Sequence, residues 1–280
     1  MKTVELPTGE RVPALGLGTW RMGESAGARR AEVEAVRAAL ATGYRLIDTA
    51  EMYGEGGAEE VVGEALAAGP VQRDAVFLVS KVYPHNASRK GTVAACERSL
   101  ARLRTDRIDL YLLHWRGPVP LAETVAAFEH LREAGRIRHW GVSNFDVDDL
   151  RELWRLDDGE RCVANQVYYS AGQRGIEFDL LPWQRQRRLP LMAYCPIDQG
   201  ALAGNRALQG IARTKGVTAA QVALAWVLRQ PDVIAIPKAV QAAHLRENLA
   251  AASIELSAAE LARIDAAFAP PTRKRRLAMT

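Results

Sequence analysis

The 280-residue chain is 48% hydrophobic and 25% charged with a mean hydropathy of −0.14, values that exclude a collagen-like, coiled-coil or largely disordered polymer. Its length accommodates two ordinary domains or one large barrel or doubly wound sheet, and no apolar run reaches the ~18 to 20 residues of a bilayer span. The net charge of +4 is matched by one run, Arg273-Lys274-Arg275-Arg276, so the rest of the chain is formally neutral and lacks the basic face of a nucleic-acid binder.

Segment 4–13 reads as two short strands about the turn Pro7-Thr8-Gly9-Glu10, a hairpin expected to cap the bottom of the fold. From there, short apolar runs rich in branched residues alternate with segments of i, i+3, i+4 apolar spacing. Strands are predicted at 14–18, 45–48, 76–81, 108–114, 139–143, 164–168, 191–194 and 233–237, with helices between them such as 31–40 and 121–131. Two more helices are predicted at 243–251 and 257–268, the second opened by the capping-box pattern Ser257-Ala258-Ala259-Glu260 and stopped by Pro270-Pro271. The basic tail, 270–280, reads as a solvated end. Eight βα units in this length, with polar residues at strand ends, predict an α/β fold of the (β/α)8 TIM-barrel type over a doubly wound sheet. No linker or composition shift divides the chain, so 1–280 is expected to be a single domain.

Cys96, Cys162 and Cys195 are odd in number and form no C-x-x-C pair, which fits reduced thiols. There is no H-E-x-x-H and no Cys/His cluster, so no catalytic metal is expected. The segment Met1-Lys2-Thr3-Val4-Glu5-Leu6-Pro7 lacks the apolar stretch of a secretory signal, and a cytoplasmic location is expected.

In a barrel of this kind the reactive groups sit at the C-terminal ends of the strands. Asp48, Lys81 and His114 end three successive strands at equal spacing, one βα unit apart, and Tyr53 lies in the loop after the first of them. Taken singly, Asp48 reads equally as a helix cap, Tyr53 as loop packing and His114 as a core histidine; their grouping is what points to chemistry. A lysine is rarely buried unless paired, and a carboxylate such as Asp48 keeps it charged. The ammonium in turn stabilises phenolate and is expected to bring the Tyr53 pKa down from the ordinary ~10. His114 adds a neutral hydrogen bond to the same reacting oxygen, and the set suits proton donation to a carbonyl. Segment 16–21 lacks the third glycine of a dinucleotide fingerprint, and Gly54-Glu55-Gly56-Gly57 lacks the P-loop lysine, so neither is read as a phosphate loop.

Across essentially its whole length the sequence resembles the aldo-keto reductase superfamily. Leu15-Gly16-Leu17-Gly18-Thr19-Trp20 is similar to the family's first strand and substrate-pocket tryptophan, and Ile47-Asp48-Thr49-Ala50-Glu51-Met52-Tyr53-Gly54 to its catalytic Asp and Tyr segment. Val79-Ser80-Lys81-Val82 and Leu110-Tyr111-Leu112-Leu113-His114-Trp115 resemble the rest of the tetrad. The resemblance implies carbonyl reduction in which Tyr53 is the general acid, Lys81 and Asp48 tune it, and His114 orients the carbonyl.

Gly141-Val142-Ser143-Asn144-Phe145 and Asn165-Gln166-Val167 resemble stretches that hold the nicotinamide carboxamide through Ser143, Asn144 and Gln166, and Tyr194 corresponds to the aromatic that stacks on the nicotinamide. Ile236-Pro237-Lys238-Ala239 and Arg246-Glu247-Asn248 are similar to the adenosine end, implying Lys238, His244, Glu247 and Asn248 as cofactor contacts. Two departures fall where the family grips the 2′-phosphate: Ala239 replaces a serine or threonine and His244 an arginine. NADPH is expected by a reduced margin, with NADH possible.

Trp20, Tyr53, Tyr83 and Trp115 are expected to wall a small substrate pocket with Arg21 or Arg116 near its rim, as in compact bacterial members that reduce small aldehydes and 2-ketoaldehydes such as methylglyoxal. Two rival readings use the same barrel: a Schiff-base aldolase with Lys81 as nucleophile, which needs a neutral amine, and a cofactor-binding sensor with little turnover. A monomer acting on a small carbonyl substrate is expected, with no nucleic-acid or membrane partner.

Overall fold

The computed structural model describes residues 2–280. The hairpin forms from β1 (Thr3–Glu5) and β2 (Arg11–Pro13), antiparallel with Val4 opposite Val12. Eight parallel strands make up the main sheet: β3 (Leu17–Gly18), β4 (Leu46–Asp48), β5 (Phe77–Val82), β6 (Ile108–Leu113), β7 (Ile137–Ser143), β8 (Asn165–Tyr168), β9 (Leu191–Tyr194) and β10 (Val233–Ala235), hydrogen-bonded in chain order. Isolated bridges from Leu15 to Ala235 and from Gly18 to Lys238 join the first strand to the last and close a (β/α)8 barrel. Every residue of β5 and β6 is buried, as expected of strands covered on both faces.

The crossovers carry α1 (Arg29–Thr42), α2 (Gly57–Ala67), α3 (Arg89–Leu103), α4 (Leu121–Glu133), α5 (Val147–Leu153) and α6 (Leu180–Gln186), one each. The last crossover, between β9 and β10, carries two helices, α7 (Arg206–Lys215) and α8 (Ala219–Leu228); α9 (Ala242–Ala251) and α10 (Ala258–Ala267) come after the barrel. Ser257 caps α10 with the reciprocal Glu260 bond that its sequence pattern predicts. No helix among the described residues is long and apolar enough to cross a membrane.

The hairpin lies across the N-terminal mouth of the barrel. Val4, Leu6 and Val12 are buried, and Glu10 meets the side chains of Arg138 and His139, near the start of β7, at 2.7 Å.

Three features differ from expectation. The first and last barrel strands are shorter than 14–18 and 233–237. Their backbone bonds, such as Gly16 to Ala235 at 2.9 Å and Gly18 to Pro237 at 3.1 Å, run across a seam that Pro237, having no amide to donate, interrupts. A side chain at Gly18 would come within 2.7 Å of the Ile236 carbonyl oxygen, so the seam closes only over a glycine. The third difference is the tail. Residues 272–276 are exposed, but Lys274 bridges Asp146 at 3.1 Å and Asp179 at 3.3 Å, and Leu277 packs against the core. The tail is tied down by ion pairs over the barrel's upper side.

Candidate active site

Asp48 ends β4 and Lys81 lies one residue before the end of β5. Both side chains are essentially fully buried. Lys81 Nζ donates to Asp48 Oδ1 at 2.7 Å, to the Thr49 carbonyl at 2.9 Å and to Tyr53 Oη at 3.1 Å. An ammonium has three protons to donate, and each has its acceptor. The second Asp48 oxygen accepts from Gln166 Nε2 at 2.7 Å, so the carboxylate is fixed at both ends.

Tyr53 opens a short 3-10 turn, Tyr53–Gly56, ahead of α2. What holds this turn is the close approach of the loop after β3. Gly23 has a φ of +72°, a side chain on it would overlap the Gly57 backbone, and one on Gly57 would meet the Gly23 carbonyl oxygen at 2.4 Å. The glycines of segment 54–57 therefore serve packing beneath Tyr53.

His114 continues β6 by one residue, its amide donating to the Val82 carbonyl at 3.0 Å. Its ring lies edge-on to Tyr53 with centroids 5.8 Å apart, and its Nδ1 is buried with no partner among the described residues. Tyr83 does not wall the cavity as expected. It packs against His85 at 4.6 Å and edge-on to Trp115 at 5.7 Å, because the Glu51 carboxylate accepts its amide at 2.7 Å and turns the chain outward there. Arg116 is also turned away, donating to Glu152 at 2.9 Å and to two loop carbonyls. Arg21 does reach the wall, with its guanidinium 4.5 Å over the Trp20 ring.

The electrostatics are set by burial. Burial opposes the charge on Lys81, but Asp48 and Tyr53 outweigh it and hold the ammonium above its ordinary value. Burial pushes the Asp48 carboxyl up, while Lys81 and Gln166 pull it back toward the ionised form. For Tyr53 burial is again the largest influence and raises the phenol; the nearby ammonium reduces the rise without reversing it. The expected lowering of Tyr53 is thus corrected: the group is a protonated phenol throughout the neutral range. Burial, then Lys81, drives His114 well below its usual value, so its imidazole is neutral.

A second set of side chains continues from the first. Ser143 Oγ donates to the Gln166 carbonyl at 2.9 Å, Asn144 Nδ2 to the His114 carbonyl at 3.1 Å, and Tyr194 Oη to Asn144 Oδ1 at 2.9 Å. Through Gln166 this chain is joined to Asp48. All of these open on one cavity of about 1030 Å³, which runs on to Lys238, His244, Glu247 and Asn248. Tyr83 and Arg116 apart, every residue expected from the sequence lines it except Lys81, which lies beneath its floor. Arg21, Asn144, Cys195 and Gln199 on its wall have positive φ values between 48° and 61°. Strained backbone of this kind collects where function demands a particular side-chain direction.

Parts of the wall were not foreseen. They are Gln209 and Arg213 from α7, the first turn of α8, and Met279 and Thr280 of the tail. None carries a local signal: Gln209 and Arg213 are ordinary residues of the amphipathic α7, Ala219 and Ala220 open an apolar helix, and nothing near Met279 and Thr280 marks them for a cavity.

The thiols divide by depth. Burial pushes Cys96 and Cys162 up to about 12, whereas Cys195 is half-buried on the cavity wall and raised less far. Brief iodoacetamide treatment of the folded protein is expected to add one label, at Cys195. Peptide mass spectra showing Cys96 or Cys162 labelled first would contradict this ordering.

A closed parallel barrel with a buried lysine, carboxylate and imidazole at the C-terminal ends of its strands and a half-buried phenol in the loop above them, opening on a long cleft, defines a barrel oxidoreductase of the aldo-keto type. The Aldo/keto reductase family model matches residues 14–269, and the chain belongs to that family. It is 51% identical to methylglyoxal reductase YeaE of Escherichia coli strain K12, with 99% of each chain covered. It is 38% identical to the glyoxal reductase of Bacillus subtilis strain 168, over 94% of this chain and 92% of that one. The crystal structure of an aldo-keto reductase from Klebsiella pneumoniae in complex with NADPH superposes with a TM-score of 0.96 at 52% identity, covering 100% of this chain and 99% of the other.

Proposed function

We propose that the chain, acting as one domain, is an NADPH-dependent reductase of small aldehydes and 2-oxoaldehydes such as methylglyoxal, with Tyr53 as general acid. The observation that carries this reading is the placement of Lys81 Nζ between Asp48 and Tyr53 beneath the cavity, with neutral His114 beside the phenol. The likeness to reductases of methylglyoxal and glyoxal supports the substrate class.

The residues present suit the cofactor. The cavity offers amide and hydroxyl groups for a carboxamide at Ser143, Asn144 and Gln166, an aromatic face at Tyr194, and cationic or polar groups at Lys238 and His244 for a phosphate. When bound, NADPH supplies the hydride for the carbonyl carbon. Tyr53 gives its phenolic proton to the carbonyl oxygen, and Lys81, kept charged by Asp48, stabilises the phenolate left behind. His114, neutral, orients that oxygen by a hydrogen bond. Trp20 and Trp115 line the same cavity and give it an apolar aromatic wall. A Schiff-base role for Lys81 is opposed by its 2.7 Å ion pair, which holds the amine protonated and non-nucleophilic.

Loss of reduced-nicotinamide absorbance with a panel of small aldehydes, 2-oxoaldehydes and ketones tests the reading, and tight NADPH binding without turnover of any of them would favour a sensor instead. NADPH is expected to bind more tightly than NADH, by a modest margin. Lys238 supplies one charge, but His244 makes at most one hydrogen bond to phosphate where arginine's fork makes two. His244→Arg should therefore tighten NADPH with little effect on NADH. Equal or better affinity for NADH in the unmodified protein, measured by fluorescence quenching, would defeat the NADPH assignment.

A further inference from the structure

Glu51 lies between Asp48 and Tyr53 in the chain and is 5% exposed, yet its carboxylate is bonded to the segment after β5 rather than to either of them. Beyond β4 the chain keeps pace with β5. Thr49 donates its amide to the Val79 carbonyl at 2.9 Å, and Glu51 donates its own to the Lys81 carbonyl at 3.3 Å. In a parallel ladder the next bond would run from the Tyr83 amide to the Glu51 carbonyl. That amide goes instead to Glu51 Oε1, at 2.7 Å. The side chain thus ends the ladder in place of the backbone, and the freed backbone turns. Tyr53 donates its amide to the Ala50 carbonyl at 3.1 Å, and the turn carries its ring back over Lys81, whose Nζ is 4.7 Å from the ring centroid.

We infer that Glu51 is a positioning residue for the proton transfer: by accepting the Tyr83 amide it fixes where the chain leaves β5, and so holds the Tyr53 hydroxyl 3.1 Å from the Lys81 ammonium. The inference rests on the reading of Tyr53 as general acid. Glu51 grips the chain on both sides of the Lys81 peptide, through its amide to the Lys81 carbonyl and through its carboxylate to the amide two residues on. One residue therefore clamps the strand that carries the ammonium to the loop that carries the phenol. The contact of Gly23 with Gly57 holds the far end of the Tyr53 turn, and Glu51 holds the near end. The carboxylate is itself fixed. Oε1 accepts from Asn86 Nδ2 at 3.0 Å as well, and Oε2 pairs with Arg98 of α3 at 3.5 Å.

Steady-state kinetics of Glu51 variants, each made in the parent and in the Tyr53→Phe background, test this. Glu51→Ala should lower kcat by about ten- to a hundredfold, the cost of misplacing a reacting group by up to an ångström, with the carbonyl KM and the NADPH Kd little changed. In the Tyr53→Phe background it should lower kcat no further, since no acid remains to be placed. A residue that only stabilises the barrel would lower both by the same factor. Glu51→Gln should recover most of the lost rate, because its side-chain oxygen still accepts the Tyr83 amide. If Glu51→Ala does not fold, Tyr83→Pro removes the same bond from the donor's side, and Tyr83→Ala, which keeps the amide, is its reference. The Tyr83 φ of −62° suits proline, and Tyr83→Pro should show the same dependence on background. Parental kcat in folded Glu51→Ala or Tyr83→Pro, an equal loss in both backgrounds, or no recovery in Glu51→Gln would each overturn the inference. A Tyr53→Phe protein as active as its parent would instead overturn the reading of Tyr53 as the acid, and this inference with it.

Discussion

Tyr53→Phe is expected to lower kcat for carbonyl reduction by about 10² to 10⁴, the usual weight of a positioned general acid, while leaving fold and cofactor affinity close to those of the parent. The fold should survive because the lost hydroxyl is only one of three acceptors of the Lys81 ammonium. Asp48 at 2.7 Å and the Thr49 carbonyl at 2.9 Å remain, so no buried charge is orphaned. Because burial keeps the Tyr53 phenol protonated, the parent enzyme's rate in the reducing direction should be level across the neutral range. His114, driven well below its ordinary value, contributes no titration there. Steady-state rates from pH 6 to 8 check this, and a Tyr53→Phe protein retaining more than about a tenth of parental kcat would exclude Tyr53 as the acid.

How much of this was legible in the sequence depends on range. The barrel was readable because each strand is an apolar run bounded by helical periodicity, a local property. Asp48, Lys81 and His114 stood out because charged and polar residues at the ends of such runs are costly to bury and so call for a reason. Tyr83 and Arg116 were misplaced for the opposite cause. Arg116 follows the cavity residue Trp115 and Tyr83 lies two residues after Lys81, but their direction is set by the distant carboxylates of Glu51 and Glu152. The tail's return to the cavity hinges on Asp146 and Asp179, more than ninety residues away, and nothing near Lys274 announces it. The direction of the Tyr53 shift was also out of reach. Counting neighbours in sequence supplies the ammonium, which lowers the pKa, whereas burial, which dominates, exists only once the fold has formed.

The same balance of burial and charge governs Lys81→Met. Removing the ammonium leaves the Asp48 carboxylate in a site that is 1% exposed, with only the Gln166 amide to answer it. Breaking a buried pair in this way costs about 3 to 5 kcal/mol, and reduction should fall at least as far as in Tyr53→Phe, since the phenolate formed on proton transfer then has no counter-charge. The pH dependence identifies the cause. Burial raises Asp48 above its ordinary 3.8 even with Lys81 present, and without Lys81 it should rise further. A carboxyl whose pKa is higher folded than unfolded takes up protons on folding, so the contribution of Asp48 to the variant's stability should fall as pH rises from the ordinary carboxyl value through the raised folded one. Urea midpoints of the parent and Lys81→Met proteins should therefore move further apart as pH is raised from the ordinary carboxyl range. Adding Asp48→Asn removes the charge and should recover most of the lost stability without recovering activity. If the double variant were no more stable than Lys81→Met at pH 8, the cost would lie in packing around the methionine rather than in the unpaired carboxylate, and the proposed function of Asp48 in holding Lys81 charged would lose its support.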